Sequence, residues 1–143
     1  LTFSKSDFVF SPRDNIFVDK DAVLEAINNP KFIILNSLTA DIHNGKNPRY
    51  GRLGRIPKSL NIPFHELLDS ETGKFKKFDE LLKIFQVNNI SRDSCILNYC
   101  GGGIAASLEA FVLYQLGFEN ITIYDNSLHE WAAIDQTLPM END

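Results

Sequence analysis

Apolar residues in this chain come in two kinds of block. Phe32-Ile33-Ile34-Leu35, Cys95-Ile96-Leu97-Asn98-Tyr99 and Ile121-Thr122-Ile123-Tyr124 are short, mostly apolar runs bounded by turn-forming residues, the pattern of strands buried on both faces. Leu60-Asn61-Ile62-Pro63 is a shorter strand-like return. Between the runs the spacing turns helical. Val23, Leu24 and Ile27 form one face of a helix over residues 21–28, capped by Asp19 and ended by Asn28-Asn29-Pro30. Residues 64–68 fit one helical turn, and after the break at Gly73 a helix near 78–85 carries Leu81, Leu82 and Phe85 on its apolar side. The segment from about 104 to 116 has few polar residues (Ser107, Glu109, Gln115), which predicts a helix buried round most of its circumference and stopped by Gly117. Ser127 and Glu130 have capping-box spacing for a last short helix that carries Trp131. The alternation predicts an α/β fold: a central, mainly parallel sheet with helices on both faces.

Two stretches fall outside the pattern. Residues 1–17 are aromatic and polar without period, with Pro12 and Arg13-Asp14-Asn15 as turn material, and read as a linker or docking arm before a domain at 18–143. Residues 36–59 are polar and rich in Gly, Asn and Arg, and loops beyond about 12–15 residues are usually functional or disordered. A length of 143 residues suits one domain. Acidic residues outnumber basic ones 19 to 14, giving a net charge of −5 with no basic cluster, which argues against a nucleic-acid partner. No apolar run approaches the ~20 residues of a membrane span, so no membrane partner is expected. The first ten residues lack the layout of a signal peptide. Cys95 and Cys100 are too few for a disulfide framework, and the default compartment is a reducing, cytoplasmic one.

The strongest local signal is a strand that runs into Cys100, then Gly101-Gly102-Gly103, then a helix. Ligand sites of parallel α/β sheets lie at the carboxyl ends of the strands, where Cys100 stands. Glycines let successive backbone N–H groups turn inward as an anion-binding nest, and the helix start adds free N–H groups and partial positive charge. Such a cradle favours a thiolate, and it needs neither a metal nor a nearby histidine. Turn formation alone rarely requires three glycines. Cys95 has no such context and reads as structural. Several thiol chemistries lack their parts here. A phosphatase of the C-x5-R type wants arginine where Ala106 stands, and a dithiol oxidoreductase wants cysteine where Gly103 stands. His43, His65 and His129 are too scattered for a metal site, and Gly103-Ile104-Ala105 does not complete a nucleotide P-loop. Covalent transfer of a small group through the thiolate remains, with no cofactor and no metal.

Three stretches together resemble the rhodanese-type sulfurtransferase family, which includes thiosulfate and 3-mercaptopyruvate sulfurtransferases. Gly54-Arg55-Ile56-Pro57-Lys58-Ser59-Leu60-Asn61-Ile62-Pro63 resembles its G-H-I-P-G-A-x-N-I-P signature. The stretch from Cys100 through Gly101, Gly102, Gly103 and Ile104 to Ala105 resembles its six-residue active loop, and Tyr124-Asp125-Asn126-Ser127-Leu128-His129-Glu130-Trp131 its Y-D-G-S-x-x-E-W segment. Asn36, Arg55, Lys58 and Asn126 depart from the family pattern at positions that read as scaffold. The resemblance implies that Cys100 takes a sulfane sulfur from a small anionic donor as a persulfide and passes it to cyanide or a thiol. The loop here lacks both the basic side chains of thiosulfate-preferring relatives and the hydroxyls of mercaptopyruvate-preferring ones, which leaves the donor open.

The same resemblance offers Arg49 and Arg52, just before the signature, as binders of the donor's carboxylate or sulfonate, since a guanidinium gives an oxyanion two parallel hydrogen bonds. The spacing favours Arg52. Trp131 reads as core and His129 as surface. The competing function is a catalytically silent rhodanese-like module for protein binding or regulation. The chain also resembles the catalytic C-terminal half of two-domain sulfurtransferases, so an N-terminal rhodanese-like domain is an expected partner in the full-length protein. Phe3, Phe8, Val9 and Phe10 are expected to pack against this domain and against that neighbour.

Overall fold

The computed structural model describes residues 3–11 and 15–143. Its elements are β1 (Phe17–Val18), α1 (Lys20–Asn28), β2 (Phe32–Asn36), α2 (Ala40–His43), β3 (Leu60–Asn61), α3 (Phe78–Val87), β4 (Cys95–Tyr99), α4 (Ile104–Gln115) and β5 (Ile121–Tyr124), with a 3₁₀ turn at Phe64–Leu67 and a π-helical turn at His129–Ile134. The five strands form one sheet in the order β1-β5-β4-β2-β3, and every neighbouring pair is parallel. The predicted α/β architecture is therefore the one observed.

Alternation along the strands divides the core. Ile34, Leu97, Tyr99 and Ile123 join Val23 and Ala26 of α1, together with Trp131, in one buried cluster. Leu35 and Ile96 face the other way and pack with Leu81 and Phe85 of α3, Val112 and Leu113 of α4, and Leu116 just after it. Full burial of each such side chain contributes about 1.5–3 kcal/mol. The caps agree with the sequence at two places. Asp19 accepts the Ala22 N–H at 3.1 Å, and Gly117 follows α4 in the left-handed region at φ 85°.

Four findings depart from the expectation. Phe17, assigned to the arm, pairs with Ile123 and makes β1 an edge strand of the sheet. The long loop contains α2, one turn too short to leave a periodic signal. Ser127 does not cap a helix: it lies at φ 51° and its hydroxyl donates to the Tyr124 carbonyl at 2.6 Å. The expected packing of the arm against its own domain is overturned, since Phe3, Phe8, Val9 and Phe10 are 73–89% exposed. Arg13 and its neighbours at 12 and 14, offered as turn material, lie outside the described residues.

Because the strands are parallel, their carboxyl ends share one edge of the sheet. Asn36 pairs with Tyr99 in the last rung of β2 and β4. Ser37, Cys100 and Asp125, each the next residue along its chain, therefore emerge together.

Candidate active site

Cys100 leaves β4 with its backbone held on both sides. Its N–H donates to Ser127 Oγ at 3.0 Å. Its carbonyl accepts the Leu128 N–H at 3.1 Å, and the Gly101 carbonyl accepts the His129 N–H at 2.8 Å. In a trans peptide the carbonyl and the following N–H point in opposite directions. Fixing the Cys100 and Gly101 carbonyls toward 128–129 therefore turns the Gly101 and Gly102 N–H groups to the other side of the loop. Among the described residues the N–H groups of Gly101, Gly102, Gly103, Ile104 and Ala105 find no backbone acceptor. The first intrahelical tie of the new turn is Ser107 N–H to the Gly103 carbonyl at 2.9 Å. The result is a run of backbone donors at the start of a twelve-residue helix, a setting that favours negative charge.

The three glycines have three different reasons. Gly103 is in the left-handed region at φ 82°, and a Cβ there would lie 2.4 Å from Asp125 Oδ1. Gly101 has an ordinary φ, but a Cβ on it would lie 2.0 Å from the Tyr50 hydroxyl. Gly102 has nothing within 4 Å of that position and is exposed. The loop is thus walled by a phenol at one glycine and a carboxylate at another, and open at the one between. Cys100 itself is only 2% exposed. An open, mostly apolar concavity lies elsewhere, at the amino ends of the strands beside Cys95, Phe32 and Ile121, and it is lined by none of the loop residues.

The segment 44–59 brings Tyr50 to the loop, and it is firmly tied down. The Tyr99 hydroxyl accepts the Ile56 N–H at 3.1 Å and bonds Ser59 Oγ at 2.9 Å. Burial raises the pKa of that phenol and keeps it neutral. Arg55 pairs with Glu141 at 2.6 Å and Asp143 at 3.0 Å, and its backbone bridges to Glu141. His43, buried at the end of α2, meets Asn36 Nδ2 through Nδ1 at 3.2 Å. Burial, with the Arg55 charge nearby, lowers its pKa to about 4. Lys58, where the family signature has glycine, sits in the left-handed region at φ 62°.

The structure separates the two arginines. Arg52 turns inward and donates to four carbonyls, those of Trp131 (2.5 Å), Leu138 (2.8 Å), Ala132 (3.3 Å) and Asp135 (3.3 Å). Its fork is occupied by the C-terminal segment. Arg49 is exposed, with its guanidinium carbon 5.8 Å from the centroid of the Tyr50 ring. Arg49 is thus the exposed one of the two, and its neighbour Tyr50 is the residue that reaches Gly101.

Sequence reasoning passed over Tyr50, Asp125 and the tethering role of Ser127. For Ser127 a signal was present in the Tyr-Asp-x-Ser segment but pointed to a helix cap. It also missed Glu109, which α4 holds fully buried and which accepts a short hydrogen bond from Ser37 Oγ. Burial raises the pKa of this carboxyl to about 8. Trp131 is core, with no exposure and its indole N–H on the Pro139 carbonyl at 2.7 Å.

The model of the rhodanese-like domain matches residues 20–134. Thiosulfate/3-mercaptopyruvate sulfurtransferase 1, mitochondrial, of Arabidopsis thaliana is 41% identical over 96 residues, 66% of this chain and 25% of that protein. Thiosulfate/3-mercaptopyruvate sulfurtransferase 2 of the same plant is 33% identical over 135 residues, 92% of this chain and 39% of that protein. The 3-mercaptopyruvate sulfurtransferase of Rattus norvegicus is 31% identical over 112 residues, 76% of this chain and 37% of that protein. The chain thus spans 25–39% of the length of these relatives. Among solved structures, the anaerobic ergothioneine biosynthesis enzyme from Chlorobium limicola, in complex with trimethyl histidine, superposes with a TM-score of 0.81 at 18% identity, over 91% of this chain and 32% of that one. That likeness is one of fold.

Proposed function

The chain belongs to the rhodanese-like domain family, and from that membership we propose that it is a sulfurtransferase working through a persulfide on Cys100. The observation that carries this reading is the backbone around Cys100. Two carbonyls of the loop are tied to 128–129, and the N–H groups from Gly101 to Ala105 are left without backbone acceptors among the described residues. Charge on the sulfur is stabilised by these donors in the thiolate and again as the persulfide forms and is attacked. The thiolate takes the outer sulfur of a small anionic donor. A thiol or cyanide then attacks the sulfane sulfur and regenerates the thiolate. No step calls for a metal or a cofactor.

Of the two donor types, 3-mercaptopyruvate fits better than thiosulfate. The residues from Gly101 to Ala105 carry no cationic side chain. Arg52 is committed to carbonyls, and the Asp125 carboxylate stands at the loop by Gly103. Arg49 is the cation at hand, and one guanidinium matches one carboxylate. A dianion would meet a single cation and a neighbouring negative charge.

The test is intact mass after incubation with 3-mercaptopyruvate or thiosulfate. The expected result is a gain of one sulfur atom, discharged by cyanide and absent in Cys100→Ser. No gain from either donor overturns the proposal in favour of a silent binding module.

A further inference from the structure

Transfer from a mercaptoketoacid has two ends, and the backbone cradle serves only the sulfur. When the Cys100 thiolate attacks the donor's sulfur, an S–S bond forms and the donor's C–S bond breaks. The electron pair of that bond passes to carbon and on to the ketone oxygen, giving an enolate that later takes a proton from water. The donor's sulfur keeps its own proton, and the products are Cys100–S–SH and the enolate. A group that donates a hydrogen bond to the developing enolate oxygen lowers the barrier, because the charge there exists only as the bond breaks.

The residues of the loop from Gly101 to Ala105 have no side-chain hydroxyl. Two hydroxyls nearby are occupied. Ser127 Oγ is shared between the Cys100 N–H and the Tyr124 carbonyl, and Ser107 Oγ donates to the Ile104 carbonyl at 2.8 Å. The hydroxyls of Tyr99 and Tyr124 are bonded too. The Tyr50 hydroxyl takes part in no hydrogen bond among the described residues, and it stands where a Cβ of Gly101 would be. Its ring lies beneath the Arg49 guanidinium. Carboxylate and ketone sit on adjacent carbons of an α-ketoacid, and the two side chains that suit them are adjacent in the chain. A donor with its carboxylate on Arg49 and its sulfur at Cys100 spans Tyr50.

Resting on the sulfurtransferase reading above, we infer that Tyr50 is a further catalytic residue, donating a hydrogen bond from its hydroxyl to the ketone oxygen of a mercaptoketoacid donor as that oxygen becomes an enolate. Gly101 is the glycine that makes room for it.

The experiment is single-turnover persulfide formation in wild type, Tyr50→Phe and Arg49→Gln, with 3-mercaptopyruvate and thiosulfate as donors. Tyr50→Phe keeps the ring and its packing, and equal thermal midpoints verify that. The saturating rate with 3-mercaptopyruvate should fall at least about tenfold in Tyr50→Phe, with little change in the half-saturating concentration. Arg49→Gln should do the opposite, raising the half-saturating concentration. Any rate with thiosulfate should be nearly unchanged in Tyr50→Phe, since its leaving group forms no enolate. Equal rates with 3-mercaptopyruvate in wild type and Tyr50→Phe overturn the role of Tyr50 and leave the sulfurtransferase reading standing. A wild type charged by thiosulfate but not by 3-mercaptopyruvate also overturns it. Charging by neither donor removes both.

Discussion

Single residues of the loop differ in what they can tolerate, although three of them are the same amino acid. Gly103→Ala puts a side chain at φ 82° against Asp125, which costs about 1–2 kcal/mol for the left-handed backbone alone. It should lower both the thermal midpoint and the rate of persulfide formation. Gly101→Ala has an ordinary φ, and its methyl would collide with the movable tip of Tyr50 rather than with backbone. Its stability should stay near wild type while its activity falls with the displaced phenol. Gly102→Ala meets open space, and both readouts should stay close to wild type. If the three variants lose activity equally, steric crowding by Tyr50 and Asp125 is not what distinguishes them. The cysteines offer a second contrast. By exposure alone Cys95, half-buried, should alkylate before Cys100 at 2%. The donor cradle predicts the reverse order with iodoacetamide, read by peptide mass spectrometry. Faster labelling at Cys95 would remove the case for an activated thiolate.

Elements decide which of these residues meet, and here the sequence was informative in part. The strand runs beginning at Phe32, Cys95 and Ile121 were legible because parallel strands buried on both faces are continuously apolar. The cysteine loop was legible because three glycines after a strand have few purely structural uses. Which of the two arginines stays exposed was not. Arg49 and Arg52 share a loop and a chemistry, and the carbonyls that capture Arg52 belong to the segment from Trp131 to Leu138, far along the chain. Tyr50 escaped for the same reason, since nothing local says that its hydroxyl will rest on Gly101. The two arginines can be told apart by what fails. Arg52→Lys gives up a planar fork for a single ammonium and should destabilise the fold by about 1–3 kcal/mol, with the half-saturating donor concentration unmoved. Denaturant unfolding beside single-turnover kinetics checks it, and a raised half-saturating concentration at wild-type stability would return Arg52 to the site. Ser127→Ala strips the buried Cys100 N–H of its acceptor. It should lose about 1–3 kcal/mol and slow persulfide formation, because the turn that aims the loop is loosened.

At the scale of the whole molecule, two buried ionisable groups pull the stability in opposite directions with pH. His43 has a pKa of about 4 in the folded chain against an ordinary 6.5. Between those values the unfolded chain carries a proton that the folded one does not, so stability rises with pH across that window. Glu109 has a pKa of about 8 in the folded chain against an ordinary 4.5. There the folded chain holds the extra proton, and stability falls as pH rises toward 8. Each group contributes a slope of at most about 1.4 kcal/mol per pH unit. Where the windows overlap, from 4.5 to 6.5, the slopes oppose and the profile should be nearly flat. On the acid side His43 is joined by Asp135, whose pKa is lowered first by the hydrogen bond from Lys20, and by Glu141, whose pKa is lowered first by the Lys58 N–H and then by Arg55, and stability should drop steeply. On the alkaline side Glu109 acts without such company, facing Ser37 and holding one carboxyl oxygen that has no partner among the described residues. Glu109→Gln is close in shape, can still accept from Ser37, and does not ionise. Its thermal midpoint should stay level between pH 6.5 and 8.5 while that of the wild type declines, and the two should converge near pH 5. Parallel curves across that range would mean that Glu109 is charged in the folded chain at neutral pH. A charged carboxyl against Ser37, at the strand end next to that of Cys100, would then oppose a thiolate there, and the activity of Glu109→Gln should exceed that of the wild type.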